Sequence, residues 1–259
     1  MGTHITSQKR GHGSKSYSTP SFRYFADVNY PSREVSGTGQ VEEFIDDPGR
    51  FPLLAKINME SGLSFYNIAA EGLGAGAKVK INVAPKGSDG ESRQFEFSEI
   101  SVGTIASLGD LPDGTPIFNI ELLPFDGGKF ARSSGAFASI VGHDEDTGMV
   151  EVKLPSKTTV RLDPRCRATV GVACGGGRLE KPLEKAGNHY YLAKARNRLF
   201  PKVRGTRMSA YDHPHGGRSL GKSNTVKRST PPGRKVGLVA ARRSGRGKGN
   251  KKREEGNAA

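Results

Sequence analysis

Asp212-His213-Pro214-His215-Gly216-Gly217 gathers the side chains of this sequence best suited to proton transfer. A carboxylate next to an imidazole is the pair that a general base and its orienting group would need. Adjacent residues rarely turn their side chains toward each other, however. Gly and Pro surround the segment and leave no apolar pocket to desolvate a base, so it reads as an RNA-contacting turn. Cys166 and Cys174, with His189 as a third candidate, give an incomplete zinc set, because such sites use four ligands in paired spacings. Gly175-Gly176-Gly177-Arg178 lacks both the Lys-Ser/Thr ending of a phosphate loop and the spacing of a dinucleotide fingerprint. It reads as a loop whose backbone passes close to something bulky. An RNA backbone suits it, since glycine lets main-chain N–H groups reach phosphates. Ser133-Ser134 and Asp144-Glu145-Asp146 read as turns, the latter with solvated acids between two strands. No enzyme signature survives, and no cofactor is expected.

The elements that hold these residues are short strands. Leu53, Ala55, Ile57 and Met59 alternate with Leu54, Lys56, Asn58 and Glu60, the two-residue period of a half-buried strand. Val79, Ile81 and Val83 repeat it, as do Phe95 with Phe97, and Phe118, Ile120 and Leu122 around Asn119 and Glu121. Phe137 to Val141 is an apolar run. Val150, Val152 and Leu154 form a further period, and so do Thr158, Val160 and Leu162, with Pro155-Ser156-Lys157 as a tight turn between them. Helix is scarce, and residues 192–197 are the best short candidate. The pattern predicts an all-β chain of two small barrels, at 36–120 and 121–195. A basic extension over 1–35 and a basic, Gly-rich one over 196–259 flank them.

Charge separates those parts. Residues 1–33 carry 5 cations and 1 acid, residues 34–195 carry 17 and 22, and residues 196–259 carry 18 and 3, for a total of +14 over 259 residues. Eighteen cations in 64 residues repel one another unless a polyanion releases its counterions to them, which points to nucleic acid. Glycines and prolines disfavour the amphipathic helix that an anionic membrane surface would require. No stretch approaches the ~20 apolar residues of a membrane span, and no signal-peptide pattern opens the chain. The two cysteines suit a reducing compartment. Residues 1–33 and 200–259 lack the apolar content to order alone.

Several segments, in one order, resemble the universal large-subunit ribosomal protein number two, in its archaeal and eukaryotic form. They are Gly127-Gly128-Lys129-Phe130-Ala131-Arg132-Ser133-Ser134-Gly135, Cys166-Arg167-Ala168-Thr169-Val170-Gly171, and Gly175-Gly176-Gly177-Arg178 with Lys181-Pro182 and Lys185-Ala186-Gly187. Val203-Arg204-Gly205-Thr206, Asp212 to Gly217, and Pro231-Pro232-Gly233-Arg234-Lys235-Val236-Gly237 complete the set, and Gln8 to Ser14 fits the archaeal type.

The resemblance implies an OB-fold barrel followed by an SH3-like barrel, with both arms threaded into large-subunit rRNA. It further implies a primary rRNA binder in the cytoplasmic ribosome that supports subunit association and the architecture around the peptidyl transferase centre. Its partners would be rRNA, neighbouring large-subunit proteins and the small subunit across an intersubunit bridge. No membrane contact or homo-oligomer is expected, and any metal would be structural Mg2+ held by the rRNA. Carried onto this sequence, the rRNA-binding residues are Arg50, Lys129, Arg132, Arg167, Arg178, Arg204, Arg207, His213, His215, Arg234, Lys235, Arg242, Arg243 and Arg246.

The chain departs from the family pattern at Ser209 and Tyr211 before the histidine, at Arg218 in place of a third glycine, and at Ser64-Phe65 in place of a basic pair. A segment of about 15 residues around 85–98 reads as an insertion. A mobile nucleic-acid module built on the same barrels, and an acyl-transfer enzyme using His213, are the competing readings.

Overall fold

Alternating apolar residues, broken by glycine turns, build one ten-stranded sheet. Its order is β3-β2-β1-β4-β5-β10-β6-β7-β8-β9. The computed structural model describes residues 4–83, 95, 100–144, 146–218 and 225–241. β1 (Gly37–Ile45) pairs antiparallel with β2 (Leu54–Met59) on one edge and with β4 (Lys78–Ile81) on the other, while β3 (Ser64–Ile68) extends from β2. β5 (Ile105–Ser107) meets β4 in parallel through Ile81 and Ile105. β6 (Pro116–Phe118), β7 (Ala138–His143), β8 (Val150–Lys153) and β9 (Thr159–Leu162) form an antiparallel meander, and β10 (Arg167–Val170) returns to lie between β5 and β6. Register shifts at Val41/Glu43 and Ile140/Gly142 bend β1 and β7, as bulges do where a sheet curls.

Three apolar clusters underlie this sheet. Val41, Ala55, Ile57, Val79, Ile81 and Ile105 fill the first, and Leu108, Leu111, Ile117, Ile120, Ile140, Val152 and Leu162 fill the second. Val28, Leu54, Ile68, Ala70, Phe118 and Ala173 form the third, which joins the β2–β3 edge to β6 and the stretch after β10. Burying each large aliphatic side chain contributes about 1.5–3 kcal/mol, so the sheet is held chiefly by these clusters.

The chain folds into two compact units. One is Thr19–His189, which contains the sheet. The other joins Met1–Ser18 to Tyr190–Ala259. Outside the sheet lie α1 (Thr6–Gly11), α2 (Ala186–Ala195) and a two-residue parallel pair, β11 (Thr225–Val226) with β12 (Leu238–Val239).

Three expectations change. Residues 1–33 do not all lack a core: Ala26, Val28 and Tyr30 alternate like a strand, and Val28 and Tyr30 are buried against the sheet. The helix expected at 192–197 occupies Ala186–Ala195. Its start went unseen because Gly187 and Asn188 are poor helix formers and only Ala193 is buried, so no apolar stripe marks it. The alternation at 118–122 fails because Asn119 and Glu121 are fully buried while Leu122 is 45% exposed. Phe97 and most of the segment around 85–98 lie outside the described residues. Phe95 is described, and it packs in the second cluster.

Candidate nucleic-acid interface

Arginines converge where the loops at 127–135 and 174–178 meet. Gly135 has a φ of +68°, and a Cβ there would come within 2.9 Å of the Gly176 backbone, so position 135 must be glycine for the two stretches of chain to pass. That contact fixes the base of Arg178. Its guanidinium lies 3.6 Å from the Phe51 ring centroid, and its Nε donates to Ser134 Oγ at 3.1 Å. Stacked and oriented in this way, an exposed guanidinium keeps its remaining donors for an acceptor outside the protein. What passes close to these glycines is a second stretch of the chain's own backbone.

Arg132 is half-buried and donates to the Gly128 carbonyl at 3.0 Å. Burial, and then the nearby Arg50 cation, push its pKa down. Two neighbouring cations raise the local potential and favour an anion between them. Arg50 is braced in turn by Asp47, by the Ala26 carbonyl at 2.9 Å and by the Tyr24 ring at 4.7 Å. Lys129 is exposed on the same loop.

Arg167 is placed otherwise. Only 3% exposed, it pairs with the fully buried Glu121 at 2.8 Å and donates to the Pro31 carbonyl at 2.6 Å. Glu121 also accepts the Arg167 and Gly127 backbone N–H groups. Beside this pair runs a closed circuit of donors: Asn119 Nδ2 to Asn67 Oδ1, Asn67 Nδ2 to the Thr169 hydroxyl, and Tyr30 OH to the Asn119 carbonyl, with Tyr30 and Thr169 hydroxyls 2.7 Å apart. Arg167 therefore ties the 26–31 segment to the sheet from inside, which corrects its expected place on the RNA surface. A buried carboxylate demands such a partner.

The second unit carries the remaining residues. His213 Nδ1 accepts the His215 backbone N–H at 3.0 Å, and the two rings lie 4.9 Å apart. Burial, and then the neighbouring His215, hold the His213 pKa below the usual imidazole value. In the neutral ring, accepting that N–H on Nδ1 puts the proton on Nε2. Gly205 packs directly against the His213 ring, where a Cβ would collide with it. His4, Gln8, Tyr211, Asp212, His213 and Lys235 help line a cleft of about 580 Å³. Arg204, Arg207, Arg234 and Lys235 are exposed, while Arg242, Arg243 and Arg246 lie outside the described residues. Cys166 is fully buried, and desolvation raises its thiol pKa to about 11. Among the described residues no group of three or more His, Cys, Asp or Glu could hold a metal ion.

Comparison with known proteins decides the family. The model for ribosomal proteins L2, C-terminal domain, matches residues 101–235. The large ribosomal subunit protein uL2 of Pyrobaculum neutrophilum is 44% identical over 95% of this chain and 96% of its own. Those of Desulfurococcus amylolyticus and Natronomonas pharaonis are 44% and 42% identical, over 96% and 95% of this chain and 100% and 98% of theirs. The chain belongs to the uL2 family. It is of the archaeal type, and the family's OB-fold and SH3-like barrels account for the all-β sheet.

Within a uL2 frame, sequence reasoning missed the acids and aromatics that position the arginines: Glu121, Tyr30 and Phe51. Glu121 sits in an alternating run that reads as solvent-facing, and its partner is 46 residues away. Tyr30 could have been found from its period with Val28 and Ala26.

Proposed function

We propose that this chain is a structural constituent of the large ribosomal subunit and a primary rRNA-binding protein there. In this reading it supports subunit association and the architecture around the peptidyl transferase centre. The observation that carries the reading is how the fold sorts charge. The unit of Met1–Ser18 and Tyr190–Ala259 holds 22 cations against 3 acids, whereas Thr19–His189 holds 18 against 23. Both ends of the chain thus join in one strongly cationic unit, and the sheet supplies a near-neutral platform. Such a unit is built to neutralise phosphates.

The basic extensions at 1–35 and 196–259 and the barrels at 36–120 and 121–195 are the parts this proposal works with. On the platform Lys129, Arg132 and Arg178 face the RNA, with Arg50 behind Arg132. On the cationic unit Arg204, Arg207, Arg234, Lys235 and the 213–215 turn do so, joined by Arg242, Arg243 and Arg246. The partners are rRNA, adjoining large-subunit proteins and the small subunit, in the cytoplasmic ribosome, without self-association.

Enzymatic use of His213 is disfavoured by its hydrogen bonding. A general base needs a free lone pair, but Nδ1 already accepts the His215 N–H and Nε2 holds the proton. The ring works as a turn brace.

Binding of the full chain to its own large-subunit rRNA should weaken by a factor of about 10³–10⁵ between 50 and 200 mM salt, as expected for about 6–10 phosphate contacts. An affinity that stays flat over that range contradicts the proposal.

A further inference from the structure

Tyr190 and Tyr191 sit side by side on α2, their ring centroids 5.4 Å apart and nearly perpendicular, with 44% and 69% of their surfaces exposed. Leu192 beside them is 36% exposed, and of the ten residues in the helix only Ala193 is buried. Ten residues fall short of the ~12–15 that an isolated helix needs to persist in water, and α2 lacks the apolar stripe that would dock it. Yet its C-terminal end is fixed. Asn188 Nδ2 donates to the Leu183 carbonyl at 3.0 Å near its start. Just beyond its end Asn197, at φ +50°, donates to the Lys15 and Ser18 carbonyls at 3.1 and 3.2 Å. The fold thus holds in place a helix whose aromatic face it leaves uncovered.

The surroundings of that face indicate its occupant. From Tyr190 to Arg207 the chain exposes five cations (Lys194, Arg198, Lys202, Arg204, Arg207), keeps Arg196 buried and carries no acid. Exposed aromatic rings interleaved with cations are the composition that binds unpaired nucleotides: bases stack on the rings while the cations follow the phosphates. A protein partner with a complementary apolar face would gain little from this excess of positive charge, and would have to supply acids throughout.

We propose that Tyr190 and Tyr191 form a stacking platform for unpaired bases of rRNA, with the exposed Lys194, Arg198 and Lys202 tracking the attached backbone. The inference rests on the rRNA-binding reading above and adds to it a specific, non-electrostatic contact.

The test compares the full-length wild type, the double variant Tyr190→Leu/Tyr191→Leu and the double variant Tyr190→Phe/Tyr191→Phe. Each is titrated with a transcript of the organism's large-subunit rRNA at several salt concentrations. Unchanged circular dichroism and thermal midpoints establish that the surface substitutions leave the fold intact. Leucine should weaken binding by about tenfold for each ring that stacks. Phenylalanine should stay within about twofold of wild type. The slope of affinity against salt should match in all three, because stacking releases no counterions. A leucine variant that binds the transcript as wild type does overturns the platform, whether or not it then fails to incorporate into subunits; that failure would mark a protein partner instead. A wild type that does not bind the transcript overturns the rRNA-binding reading itself, so the two failures are distinguishable.

Discussion

Arg167 and Glu121 show how much of this protein's binding chemistry is spent on internal positioning. Both are buried, and each is satisfied by the other and by backbone groups. Glu121→Gln leaves a buried guanidinium without a counter-charge and should cost about 3–5 kcal/mol of stability. Chemical denaturation checks this, and a variant as stable as wild type would show that the pair carries no weight. At the other end of the chain, His213→Asn keeps a carbonyl oxygen that can accept the His215 N–H. Subunits carrying it should retain assembly and peptide-bond rate within a few-fold. A large loss of rate in fully assembled subunits would instead make the imidazole chemically active. The motif around His213 was plain in the sequence, but the direction of its hydrogen bond was not, because a ring nitrogen's partner is set by turn geometry rather than by residue type.

Strands with one wet face were legible and those with two covered faces were not. β4, β8 and β9 alternate as the sequence reads, and β2 does so from Ala55 onward; at its start the expected phase fails, with Leu54 fully buried and Leu53 exposed. All four residues of β10 are buried, Arg167 and Thr169 included, because it lies between β5 and β6 with its polar side chains in the Glu121 and Tyr30 networks. Interior strands lose their alternation in this way. β3, with Ser64, Tyr66 and Asn67, offered no apolar run at all.

The same networks make the 26–31 segment part of the sheet's stability. Truncation after Ser18 should leave the thermal midpoint of the sheet within a few degrees. Removal through Pro31 takes away Val28, the Tyr30 ring and the carbonyl that receives Arg167. It should cost several kcal/mol, from about 1.5–3 for each buried side chain together with the lost hydrogen bonds. Equal midpoints for the two truncations would show that the segment merely lies on the surface.

At the scale of the whole chain, composition alone separated platform from cationic ends, because charge density is a property of sequence and needs no contact to be seen. The joining of the two ends in one unit was not visible, since it depends on pairings between residues some 180 positions apart, such as Asn197 with Lys15 and Ser18. That joining makes the central claim a claim about place: in the proposed reading, a protein whose charge is sorted in this way sits inside a folded RNA at fixed stoichiometry. The most direct measurement is a sedimentation gradient of cell extract, probed for this chain at ordinary and at low magnesium. About one copy per large subunit, travelling with that subunit in both conditions, is the expected result. A chain found free at the top of the gradient would contradict a fixed place in the ribosome and favour a mobile RNA-binding protein built on the same barrels.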